Sequence, residues 1–116
     1  MLVGLGHLDL VCRDLDASLA FYTAVFGPIG LELPFLVPGE RGEQIHYLRF
    51  PQAGSGSLGL RQALVEQDFE LYAPGLHHFA FAVESREEVD GVHERAAEAG
   101  GEILHPPKLC PQYHPA

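Results

Sequence analysis

The sequence predicts an α+β fold in which a βαβββ unit is followed by a shortened copy of itself. Three observations carry that expectation. Apolar and polar residues alternate from His7 to Cys12, and a helical stripe follows directly. Three more strand patterns come next, each closed by turn residues. The pattern then restarts at His78: the steps from His7 to Asp14 and from His78 to Ser85 are both seven residues, and both end at a helix cap. A chain of 116 residues suits one domain, divided here into a first module over 1–64, a connector over 65–75 and an incomplete second module over 76–116.

The first strand is expected within 2–12, with His7, Asp9 and Val11 on one face and Leu8, Leu10 and Cys12 on the other. Asp14 and Asp16 are both plausible N-caps for a helix whose Leu15, Leu19, Tyr22, Val25 and Phe26 fall at helical spacing. Gly27 is expected to end it in a left-handed turn, and Pro28 cannot continue it. Strands over 31–37, 44–50 and 57–63 follow. In the second module, a strand from His78 sets His78, Ala80 and Ala82 against Phe79, Phe81 and Val83. Ser85 and Glu88 then form a capping box. Val89, Val92, Ala96 and Ala99 make a helical stripe that Gly100 and Gly101 stop, and a last strand begins over 102–105.

Composition excludes several function classes. Sixteen acids against seven Lys plus Arg leave a charge of −9, a surface that repels nucleic-acid backbones. No apolar run is long enough to span a bilayer, and the N-terminus shows neither a basic leader nor a cleavage site. Cys12 and Cys110 form no metal-binding spacing and no disulfide framework. A cytoplasmic protein is expected.

Histidine is the residue type in excess, and "GLHHFAFAV" (75–83) places two side by side. Alternation separates them. His77 shares a side with Phe79 and Phe81, which need burial, whereas His78 lies with two small alanines. Duplication makes His78 the counterpart of His7. Two imidazoles converging between packed modules suit Zn, Mn, Fe, Ni or Co, with a carboxylate commonly completing such a site.

The segments "GHLDLVCRDLDASLAFYTAVFG" (6–27) and "HHFAFAVES" (77–85) resemble the vicinal oxygen chelate superfamily of glyoxalases, bleomycin- and fosfomycin-resistance proteins and extradiol dioxygenases. The late "PQYHPA" (111–116) also resembles a loop found in many members. The resemblance implies paired βαβββ modules forming a cupped mixed sheet around a divalent metal, with His7 and His78 as metal ligands. The family's third ligand, a glutamate on the last strand, has no match in this sequence, so the second module is expected to lack its last strands and the metal site to be incomplete or empty. Gln62 is a weak substitute. Asp9, on the His7 face, is the candidate acid/base. Arg49, Arg61, Tyr113 and His114 are candidate substrate-binding residues, and only one of His46 and Tyr47 can face the cavity.

The expected function is a metal-dependent lyase, isomerase or oxygenase step on a small oxygenated substrate. The alternative is a metal-free small-molecule binding protein of the bleomycin-resistance type, although the chain has no Trp and only four Tyr to wall such a cleft. Unpaired sheet edges predict a homodimer.

Overall fold

The computed structural model describes residues 1–50 and 56–110. Tyr113 and His114 therefore lie outside the described residues. The elements run β1 (His7–Cys12), α1 (Leu15–Phe26), a 3-10 turn (Gly27–Ile29), β2 (Phe35–Pro38), β3 (Gln44–Arg49), β4 (Ser57–Gln62) and α2 (Arg86–Glu98). The first module is thus the βαβββ unit that the periodicity predicts. Its four strands form one open mixed sheet in the order β1-β4-β3-β2. β1 pairs parallel with β4, while β3 runs antiparallel to both β4 and β2.

Alternation decides which face is covered. Cys12, Leu48, Leu58 and Leu60 form the buried centre on one face, with Leu8, Leu10, Leu15, Leu19 and Tyr22 packed against it. Removing each large apolar side chain from water contributes roughly 1.5–3 kcal/mol. α1 is fixed over this face by its N-terminus. The Asp14 carboxylate accepts from the Ala17 N–H at 3.1 Å, and the Gln62 side chain accepts from Leu15 N–H at 3.0 Å while donating to the Arg13 carbonyl at 2.6 Å. Gln62 is thereby occupied as a clamp between β4 and α1, which removes it as a stand-in ligand.

The end of α1 differs from expectation. Gly27 stays right-handed (φ −54°), and the chain continues through the 3-10 turn with Pro28 near its start. The left-handed residue is Gly30 (φ 112°), whose N–H closes on the Gly27 carbonyl. Proline's fixed φ suits the first position of a new turn as well as it suits a helix stop.

In the second half, residues 78–83 form no strand, because no described strand lies beside them to supply ladder partners. Residues 102–105 likewise carry no ladder. The predicted alternation survives without it: Phe79, Phe81 and Val83 are half-buried, while His78, Ala80 and Ala82 are exposed. Phe81 packs against Phe26 (centroids 4.5 Å apart), Phe79 (5.4 Å) and Phe50 (5.5 Å). His77, however, is exposed and meets the edge of Tyr72 rather than joining the phenylalanines.

α2 starts on the expected box, with Ser85 Oγ accepting from Glu88 N–H at 3.2 Å. The Glu88 carboxylate reaches one residue further back than predicted, to the Glu84 N–H at 2.9 Å. At the other end Gly100 is left-handed (φ 89°) and Gly101 N–H bonds the Ala96 carbonyl at 2.8 Å, a Schellman closure. α2 is tied to α1 by Arg95, whose Nε donates to the Val25 carbonyl at 2.8 Å.

Candidate functional site

The uncovered face of the sheet carries the polar residues. Register fixes its rows, since directly opposed residues share a face. One row runs Asp9, Gly59, Tyr47, Phe35, and the next runs His7, Ser57, Arg49. Tyr47 therefore faces the open side. His46 points the other way, with its Nδ1 buried and, among the described residues, without a hydrogen-bond partner.

Gly59 makes the first row possible. A Cβ there would stand 2.4 Å from Tyr47 Cε1 and 2.5 Å from Asp9 Oδ1. With no side chain in the way, the Tyr47 hydroxyl crosses β4 and donates to Asp9 Oδ2 at 2.8 Å. Arg61 Nη2 donates to the same oxygen at 3.0 Å. The other oxygen, Oδ1, lies 3.0 Å from Nδ1 of His7. Burial alone would raise the Asp9 carboxyl, but the hydrogen bonds from His7, Tyr47 and Arg61 together hold it below the ordinary carboxylate value. Burial, and then the hydrogen bond to Asp9, push the Tyr47 phenol up.

His7 also meets Tyr47 edge-on (centroids 5.6 Å), and Tyr47 stacks on Phe35 (5.6 Å). The open face thus presents an aromatic row from β1 to β2. Sequence reasoning left Tyr47 undecided and overlooked Phe35 and Gly59. The signal for Phe35 was its place opposite Tyr47 in a hairpin, which becomes readable only once register is known.

The two candidate arginines differ sharply. Arg61, with its side chain 18% exposed, is enclosed by carboxylates: Asp9, Glu40 through Nη1 at 3.1 and 3.2 Å, and Glu43 at 3.6 Å. Arg49 is 60% exposed and among the described residues pairs only with the half-exposed Glu32 at 3.2 Å. It lies over the Phe35 ring, with Cζ 5.8 Å from the centroid. It also lines a cleft of about 610 Å³ with Leu31, Glu32, Leu33 and Phe35.

The histidines offer a divalent metal single imidazoles. With Nδ1 engaged by Asp9, His7 presents Nε2. His78 is exposed, and its Nδ1 lies 2.7 Å from Nδ1 of His77; when His78 is the donor of that bond, its Nε2 is the free lone pair. The structure brings Asp9, Tyr47 and Arg61 to His7, whereas among the described residues His78 has no polar side-chain partner other than His77. Among the described residues no three His, Cys, Asp or Glu side chains form a metal-binding group. Each imidazole can offer one nitrogen lone pair, and a metal held by either would need further oxygen or nitrogen donors.

The profile of the Glyoxalase/Bleomycin resistance protein/Dioxygenase superfamily matches residues 4–112. No curated protein sequence matches the chain. Among solved structures, a glyoxylase/bleomycin resistance protein/dioxygenase domain from Frankia sp. EAN1pec is 31% identical with a TM-score of 0.77, covering 96% of this chain and 84% of its own. A mutant of the fosfomycin resistance protein FosX from Listeria monocytogenes, complexed with Mn(II) and 1S,2S-dihydroxypropylphosphonic acid, is 25% identical with a TM-score of 0.61, covering 88% of this chain and 73% of its own. The matched profile, the shared architecture and the Frankia likeness agree: this chain belongs to the glyoxalase/bleomycin resistance protein/dioxygenase superfamily.

Proposed function

We propose that the open face of the sheet binds a divalent metal through His7 and His78 and holds a small oxygenated anion against Arg49. One observation carries this reading. Asp9 takes the Nδ1 side of His7 at 3.0 Å, the carboxylate–histidine pairing that directs Nε2 toward a metal and raises its basicity. The metal, when bound, supplies Lewis-acid polarisation of substrate oxygens. The chain's own residues do the rest. Arg49 sits on the His7 row, two strand spacings or roughly 10 Å away. Its surface pair with Glu32 is worth at most about 1 kcal/mol, so an incoming anion displaces it at little cost. Asp9 stays ionised and orients His7, with three of its roughly four acceptor sites in use.

The FosX complex, with a diol and a phosphonate in one ligand beside Mn(II), supports the substrate class. The chemistry served is a lyase, isomerase or oxygenase step. Further metal donors come from substrate oxygens and from a second copy of the chain, so the reading includes a homodimer. In support, β1 is an edge strand among the described residues, and Leu2, Val3, Leu5 and Val11 on or beside it are all exposed. No helix among the described residues is long and apolar enough to cross a membrane. With both cysteines free, we assign the protein to the cytoplasm.

The aromatic row of His7, Tyr47 and Phe35 favours one second reading, a metal-free cleft that stacks a planar ligand. Calorimetric titration of alkylphosphonates with and without Mn(II) separates the two. Binding that requires the metal and is lost in Arg49→Ala supports the first; binding indifferent to chelator supports the second.

A further inference from the structure

Arg61 lies on the same face as Arg49, and a strand arginine facing an open sheet invites the role of anion receptor. Its surroundings do not fit that role. The guanidinium is a fork with both arms in use. Nη2 donates to Asp9 Oδ2 at 3.0 Å, while Nη1 donates to both oxygens of Glu40 and lies 3.6 Å from Glu43. An incoming anion would have to displace three carboxylates from a side chain that is only 18% exposed.

The carboxylates enclosing it come from separate elements. Glu40 and Glu43 belong to the β2–β3 hairpin, where Gly39 N–H bonds the Glu43 carbonyl at 2.7 Å. The Glu43 side chain folds back under this turn, and a Cβ on Gly39 would overlap its carboxylate. That carboxylate is 10% exposed, and among the described residues its Oε1 has no hydrogen-bond partner and Arg61 is the charge it pairs with. Arg61 thus links a hairpin on the far side of the sheet to Asp9 on β1.

The consequence falls on His7. A carboxylate rotates about its own axis and can present either oxygen to a neighbour. Here Oδ2 is held from two directions, by Arg61 and by the Tyr47 hydroxyl, which leaves Oδ1 as the oxygen aimed at His7. We infer that Arg61 is a positioning residue: by fixing the rotation of Asp9 it places the His7 ring proton on Nδ1 and keeps the Nε2 lone pair facing the open side. This inference deepens the proposed function, since it rests on His7 being the residue that meets a ligand there.

The tautomer is read without metal, so the two can fail separately. Ring-nitrogen NMR of 15N-histidine-labelled apo protein distinguishes a protonated nitrogen from one with a free lone pair. Wild type is expected to show protonated Nδ1 and free Nε2 at His7. In Arg61→Gln the ratio of the two tautomers shifts about tenfold toward Nε2–H, the equivalent of one charge-assisted hydrogen bond. Arg61→Lys, which keeps a charged donor to Oδ2, restores the wild-type ratio. Glu40→Gln, at a 77% exposed side chain, frees one arm of the fork and shifts the ratio in the same direction by less. That variant decides the matter if Arg61→Gln does not fold. A wild-type His7 protonated on Nε2, or variants that fold with an unchanged ratio, would overturn the inference. A shifted ratio in a protein that binds no metal would uphold it and count against the proposed function.

Discussion

Gly59 is the position at which one added methyl group does the most to this face. Its backbone needs no special conformation, so Gly59→Ala meets no φ penalty. The methyl would nonetheless stand 2.4 Å from Tyr47 Cε1 and 2.5 Å from Asp9 Oδ1. Neither neighbour is free to give way. Tyr47 is held between His7 and Phe35, and Asp9 accepts three hydrogen bonds. Expelling Tyr47 loses a hydrogen bond to a charged acceptor, about 2 kcal/mol at this partly exposed site, and two exposed aromatic contacts, together about 1 kcal/mol. Reduced freedom of the unfolded chain returns roughly 0.7 kcal/mol. The net loss is about 2 kcal/mol, or a fall in Tm of about 8 °C. Gly27→Ala is the matched control: its φ is helical and a Cβ meets nothing within 4 Å, so it should stabilise slightly. Thermal unfolding by circular dichroism, with NOEs from the Tyr47 ring to His7 and Phe35, measures both. A Gly59→Ala protein within about 0.5 kcal/mol of wild type and with those NOEs intact would refute the crowding argument.

Further outcomes follow from the same contacts. Because the folded-state pKa of Asp9 is lowered, its contribution to stability is complete above the ordinary value of 3.8 and disappears as pH falls through the lower folded value. Urea midpoints between pH 7 and pH 3 should therefore fall at the acid end, and Asp9→Asn should flatten that limb while lowering the neutral plateau. Ser85→Ala removes the acceptor for Glu88 N–H and should cost about 1 kcal/mol, read as a shift in urea midpoint. Light scattering at micromolar concentration should give a dimer mass, and charged substitutions at Val3 and Val11 should drive it toward monomer. A monomer in the wild type would count against the shared site.

Much of this was legible before the fold was known. Alternation over 7–12 placed His7 and Asp9 together on the uncovered face, because a strand covered on one side imposes period two directly on the sequence. The caps at Asp14 and Ser85 were equally readable, being local chemistry. Register was not, since pairing joins residues distant in the chain. The contacts of Tyr47 with Asp9, across the gap at Gly59, therefore lay beyond reach, as did the difference between the two arginines. Arg49 and Arg61 look alike as strand residues, and only the hairpin carrying Glu40 and Glu43 separates them. The strand expected over 78–83 failed for a related reason. Its apolar alternation is real, but a strand also needs a neighbour, and periodicity says nothing about whether one is present.

The central claim is that His7 and His78 bind a divalent metal on the open face. Titrating the purified protein with Mn(II), and following free Mn(II) by electron paramagnetic resonance, tests it most directly. Saturable binding by wild type that is lost in His7→Ala and in His78→Ala, and weakened in Asp9→Asn, is the predicted result. Absence of binding by wild type, or binding that survives both histidine substitutions, would contradict it.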